Sequence, residues 1–391
     1  MKRLFLTFAC AVGLTGTVQA QTIEEILRSI DQNNKELQAL RQQAEAGKMD
    51  IQARNNLGET SIEYSPFFAK GVSGTASSEL IVSQEFDFPT LYAARHKAGK
   101  LQREALDRRL ATSRRDLLLE AKNLCLDLIR LNQEARLLDE RRQNADRLLV
   151  LFEQRLKEGD AGLLEVNKLK MERMNVQTEV TQNRTAHRTA LQQLLALNGN
   201  LPLSFDADVY PEAPSVTDLN ALYDEVMATD VSLQAAEAEA QAAQKEVSVN
   251  RQGWLPKLEV GYRRNTELDE KFNGLLVGGS LPIFSNRKKT KIARAQAVSA
   301  RLMADDARLK AEAEVQSRFN ELQQLREALA VYDVPLMKHT LSLLYQAVTE
   351  GQLSIIDFYV EADGVYRNLQ SQLELENQYQ KALAAIYKNR L

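Results

Sequence analysis

The chain has little of what most globular proteins use to turn, staple or anchor themselves. Its 391 residues include only 8 Pro, 17 Gly, 2 Cys, 3 His and one Trp. So few turn residues exclude a fold of many short elements and predict long uninterrupted ones. No apolar run approaches the ~20 residues that a membrane-spanning helix needs. Any integration into a bilayer must therefore use β-strands. Neither sign of charge dominates, since 50 Lys and Arg face 53 Asp and Glu, which excludes a nucleic-acid binder of the basic-patch kind. His96, His187 and His339 stand far apart with no second His or Cys at ligand spacing. With no nucleophile motif and no phosphate-binding Gly loop either, the chain is read as a non-enzyme without metal or cofactor, its histidines on solvated helix faces.

What is present begins with a leader. Residues 1–20 carry Lys2-Arg3, an apolar run from Leu4 to about Leu14, and Val18-Gln19-Ala20 with small residues at both specificity positions, the pattern of a cleavable export signal. Gln21 is then the expected first residue and the mature charge about −5. Cys10 leaves with the leader, no Cys follows the cleavage point to accept a lipid, and Cys125 remains alone without an intrachain disulfide.

The rest divides into two similar halves, 21–200 and 218–391, joined by a turn-rich linker at 201–217 that contains Pro202, Pro211 and Pro214. Leu37-Gln-Ala, Ile51, Gly159, Leu163-Leu164-Glu165-Val166 and Ala190-Leu191 are answered by Leu233-Gln-Ala, Val247, Gly351, Ile355-Ile356-Asp357-Phe358 and Ala382-Leu383. Each half predicts a helix, a strand pair (60–86 and 257–283), a very long helix (90–158 and 286–350), a glycine turn and a final helix (163–197 and 355–391). Thr22-Ile-Glu-Glu25 opens the first helix as a capping box, and that helix is expected to run to about Asn55. Each long helix would span roughly 95 to 100 Å. Leu110, Leu117, Leu124, Leu131 and Leu138 recur every seven residues, as do Val315, Leu322, Leu329, Leu336 and Leu343, which specifies left-handed helix pairing. A soluble coiled-coil rod would explain these stripes equally well.

The strands separate the two readings. Thr60 to Phe68, Ser78 to Phe86, Lys257 to Asn265 and Gly274 to Ile283 each have the ~9 to 10 residues of a tilted transmembrane strand. Leu258, Val260 and Tyr262 alternate with Glu259, Gly261 and Arg263, and Leu275, Val277, Leu281 and Ile283 with Leu276, Gly278 and Ser280. One apolar and one small or polar face suits lipid outside and water inside. Four strands cannot close alone, whereas three chains would supply twelve and leave no open edge in lipid.

These features together resemble the TolC-like outer-membrane efflux factor family. The resemblance rests on Val334-Pro335, Leu343-Leu344-Tyr345, Glu350-Gly351-Gln-Leu-Ser354-Ile355-Ile356-Asp357-Phe358 and Ala362, with the weaker copy Phe152, Glu158-Gly159 and Leu163-Leu164-Glu165-Val166. It implies a mainly α fold with a small β part: antiparallel coiled-coil helices forming an α-barrel, and four transmembrane strands per protomer that close a 12-stranded β-barrel in a homotrimer. It also implies an outer-membrane exit duct extending into the periplasm, passive toward small solutes and served by a periplasmic adaptor and an inner-membrane pump, for instance of the resistance-nodulation-division type. The short length looks most like the heavy-metal branch. The rival is a soluble periplasmic coiled-coil scaffold or adaptor.

Within this frame Trp254 marks the membrane interface or packs, and Pro335 kinks the second long helix. Gly159 and Gly351 end the long helices at positive φ, and Ser354-Ile-Ile-Asp357 caps the next one. Leu163, Leu164, Ile355 and Ile356 are expected to face outward at the two tips. The resemblance makes these tips the adaptor's docking surface; plain hairpin packing is the other reading. Asp357 and Glu361, four apart on one helix face, together with Glu165, form a candidate periplasmic gate, with Arg155, Lys157, Lys168 and Lys170 available to bridge the acids. Helix capping alone is the alternative for Asp357.

Overall fold

The computed structural model describes residues 21–212, 218–267, 270–284 and 286–391. The expected leader and residues 213–217 of the expected linker lie outside them. The order is α1 (Ile23–Asn33), α2 (Lys35–Ala53), β1 (Thr60–Phe67), β2 (Ser77–Phe86), α3 (Pro89–Glu158) and α4 (Leu163–Leu197), then α5 (Leu219–Thr229), α6 (Val231–Gln252), β3 (Lys257–Glu267), β4 (Glu270–Ser280), α7 (Lys289–Leu329), α8 (Val334–Thr349) and α9 (Ile355–Ile386). None of the described helices is long and apolar enough to cross a membrane.

Three expected helices are broken, each at a side chain that can cap. Thr22 accepts the Glu25 N–H at 3.3 Å while Glu25 accepts the Thr22 N–H at 2.9 Å, so α1 does start on its capping box. It ends at Asn34, whose extended ψ of 124° starts α2 afresh, and the buried Asn34 amide donates to the Leu197 carbonyl at 2.8 Å. Asp230 separates α5 from α6 in the corresponding place, accepting the Leu233 N–H at 2.8 Å. The second long helix, expected to run unbroken over 286–350, stops at Leu329 and resumes at Val334. Asp333 caps α8 by accepting the Leu336 N–H at 2.9 Å. Pro335 therefore stands in the first turn of a new helix, where a missing N–H leaves no bond unmade, and does not kink a continuous one. The heptad changes with it: Val315 and Leu322 are buried, but Leu336 and Leu343 are 59% and 52% exposed.

The chain forms two compact units, each drawing on both halves of the sequence: Met1–Asn34, Glu120–Ala213 and Leu325–Lys381 in the first, Lys35–Leu119, Pro214–Gln324 and Ala382–Leu391 in the second. One core of the first unit joins Leu148, Leu149 and Phe152 of α3 to Val166 and Leu169 of α4, Val348 of α8, and Ile355, Phe358, Ala362, Tyr366 and Leu369 of α9. These α9 positions recur at spacings of three and four, the apolar seam of a paired helix.

The second unit holds the sheet, antiparallel in the order β1-β2-β3-β4. β4 starts four residues earlier than the sequence suggested and ends at Ser280, so Leu281 and Ile283 lie beyond it. Register places Ile62, Val82, Tyr262 and Leu275 in one row and Thr60, Gln84, Val260 and Val277 in the next. On the opposite face Glu85 accepts from Lys257 Nζ and Ser280 Oγ, both at 3.1 Å. On that face too, a Cβ at Gly261 would lie 2.5 Å from the Val82 carbonyl, so only glycine fits there.

Candidate functional site

The turn that ends α3 and the turn that ends α8 share one construction. Gly159 has φ +84° and Gly351 φ +77°. The Asp160 N–H donates to the Arg155 carbonyl at 2.8 Å and the Gly159 N–H to that of Leu156 at 3.3 Å. Gln352 donates to Ala347 at 2.9 Å and Gly351 to Val348 at 3.3 Å in the same two steps. Both are Schellman closures, which require a left-handed residue at the position these glycines hold.

The next helices start within four residues. Glu165 Oε2 accepts the Gly162 N–H at 2.7 Å, so its carboxylate is engaged at the start of α4. Ser354 Oγ accepts the Asp357 N–H at 3.1 Å and donates its proton to Asp357 Oδ2 at 2.6 Å. Asp357 thus takes part in a cap, yet it remains exposed, as does Glu361 one turn on. Among the described residues no cation is paired with either. Of the bridging candidates, Arg155 donates to the Thr349 carbonyl at 2.6 Å and stacks over Phe152 at 5.2 Å, while Lys170 pairs with Glu153 at 3.1 Å. Arg155 and Lys170 are thus committed elsewhere within the chain.

The four apolar tip residues divide. Leu163 is 64% exposed, Leu164 70% and Ile356 42%, but Ile355 is fully buried. Its expected outward face is corrected: Ile355 begins the α9 seam that continues through Phe358 and Ala362 and packs with Phe152 and Val166 in one core.

Sequence reasoning missed the strongest charge cluster of this unit. Arg141, only 8% exposed, donates Nε to Glu172 at 2.8 Å and Nη1 to Glu179 at 3.2 Å, approaches Asp363 at 3.9 Å and lies 4.9 Å over the Tyr366 ring. It ties α3 to α4 and α9 beside an open groove of about 620 Å³. The Tyr359 hydroxyl is enclosed there without a partner, and burial pushes its pKa up. The available signal was Arg141's place three residues after Leu138 and four before the buried Ala145, on the seam of α3.

The chain matches, over residues 222–389, the family model described as outer membrane efflux protein. No curated protein sequence matches it. Among solved structures it is similar to the outer-membrane channel OprN (17% identity, 94% of this chain and 89% of that one, TM-score 0.74). It is also similar to the Campylobacter jejuni CmeC outer membrane channel (14%, 99% and 93%, 0.75) and to CusC (15%, 95% and 92%, 0.71).

Proposed function

We propose that this chain is the exit duct of a tripartite efflux system. Three copies join their β1 and β4 edges into a twelve-stranded barrel in the outer membrane, and their helices continue as a tunnel into the periplasm. The observation that carries this reading is the sheet: its rows of apolar side chains stay exposed, with Ile62 at 70%, Leu275 at 86% and Val277 at 79%, and β1 and β4 have no further partner among the described residues. In water such a face and two open edges would drive aggregation. In lipid, closure satisfies the edges and the apolar face is solvated by acyl chains. This speaks against the soluble scaffold. The chain is a conduit, not an enzyme; solutes pass it passively while an inner-membrane pump supplies the energy.

Leu163, Leu164 and Ile356 around the Gly159 and Gly351 turns form the surface for a periplasmic adaptor. Asp357 and Glu361, repeated by threefold symmetry, make up to six acids at the periplasmic constriction, a ring that favours cations. Glu165, engaged at its own helix start, is the weakest member of that set. The test is fractionation followed by conductance in planar bilayers. The mature protein is expected in outer membranes as a heat-modifiable trimer, and recovery as a soluble periplasmic monomer would refute the duct. Asp357→Asn with Glu361→Gln is expected to weaken cation selectivity and ease opening; unchanged conductance and selectivity would reduce Asp357 to a cap.

A further inference from the structure

The end of the sheet from which the long helices depart carries a charge pattern that the fold itself does not explain. Register sets Phe86 opposite Leu258 and Ser280 opposite Lys257, so β2 and β4 finish at one level and α3 and α7 leave from the same rim. Arg287, Lys288, Lys289, Lys291 and Arg294 crowd five cations into eight residues across the start of α7. No Asp or Glu occurs anywhere between residues 281 and 304. All five side chains are exposed, and none has an ion-pair partner among the described residues.

Their position is electrostatically unfavourable within the chain. A helix N-terminus carries partial positive charge and prefers acids, yet the first turn of α7 has none. The first turn of α3 has none either; Lys97 and Lys100 are exposed one to two turns further on, while Arg95 is paired with Asp87 at 2.5 Å. Cations held close together against the helix dipole and without carboxylates need an anion from outside.

A second feature of the rim identifies that anion's setting. Leu281, Ile283 and Phe284 directly precede the basic run and are 67%, 62% and 80% exposed. Trp254, three residues before β3 begins at the same level, is 48% exposed. Aromatic and apolar side chains followed immediately by lysines and arginines form a sequence that lies across a bilayer's interfacial layer with its charges at headgroup depth.

We propose that this rim binds anionic phospholipid headgroups of the leaflet facing the helices, with Arg287, Lys288, Lys289, Lys291 and Arg294 contacting lipid phosphates and Trp254, Ile283 and Phe284 seated at the acyl boundary. The inference rests on the barrel reading above. Three copies would ring the barrel with fifteen such cations and hold its height in the membrane.

Trp254 is the sole tryptophan, so its fluorescence reports the rim in the intact protein. The full trimer is reconstituted in phosphatidylcholine vesicles containing brominated phosphatidylglycerol or, at equal fraction, brominated phosphatidylcholine. The anionic quencher is expected to act as though enriched about fivefold at low salt, to lose that advantage at high salt, and to lose it in a variant with Arg287, Lys289, Lys291 and Arg294 each changed to Gln. Should that variant fail to form trimers, Lys291→Gln with Arg294→Gln is expected to lose a measurable part of it. Equal quenching by both lipids overturns headgroup recognition while leaving the barrel intact. Abolition of the preference by millimolar inorganic phosphate at constant low ionic strength overturns it too, because the site then takes a free anion. Quenching by neither lipid overturns this inference and the barrel reading together.

Discussion

Cys125 shows what burial does to a single side chain of this protein. It is fully buried, and desolvation pushes its thiol pKa up to about 12. At pH 8 the group is therefore a neutral thiol without access to solvent, and a thiol-specific chromogenic reagent is expected to label the folded mature protein only as fast as it unfolds; prompt stoichiometric labelling would contradict the buried placement. Ile355 and Leu163, matched in sequence, differ in the same respect. Ile355→Ala is expected to cost about 2 to 5 kcal/mol, because it opens a cavity in the core that joins α3, α4 and α9. Leu163→Asp with Leu164→Asp should leave trimer yield and denaturation unchanged and abolish export, since both side chains point away from that core. Export that survives the double change would remove the adaptor from this surface.

At the scale of elements, helix ends decide more than helix interiors. α3 runs for 70 residues without a break, whereas α7 and α8 divide a comparable stretch at residues 330–333. The division belongs to the Asp333 cap, with Pro335 seated where its ring does no harm. Asp333→Ala should lower stability by about 1 kcal/mol, read as a shift of the denaturation midpoint. Pro335→Ala should shift it less and leave helical ellipticity unchanged. A rise in ellipticity after Pro335→Ala would mean that the proline, not the cap, made the break.

For the whole molecule the bilayer is the decisive solvent. Val277 pairs with Val260 two rows from the rim, while Leu258 lies at the rim beside the first residue of β3. Val277→Arg should therefore destabilise the membrane-embedded trimer by about 2 to 4 kcal/mol, Leu258→Arg by about 0 to 1 kcal/mol, and Leu276→Arg on the opposite face hardly at all. Heat-modifiability of each variant in outer-membrane preparations measures the series. Equal effects at all three positions would mean that the two faces of the sheet do not meet different solvents.

Periodicity and turn chemistry were enough to read the helical bulk, the strand pairs, the glycine closures at Gly159 and Gly351 and the capping pairs Thr22 with Glu25 and Ser354 with Asp357, because each depends on residues within a few positions of one another. Tertiary structure alone decided which apolar side chains of a stripe are covered. Ile355 is buried and Leu163 is not, Leu336 and Leu343 leave the seam after the break, and Arg141 gathers carboxylates from α4 and α9. Burial and ion pairing depend on neighbours dozens to hundreds of residues away in sequence, and a local pattern carries no record of them.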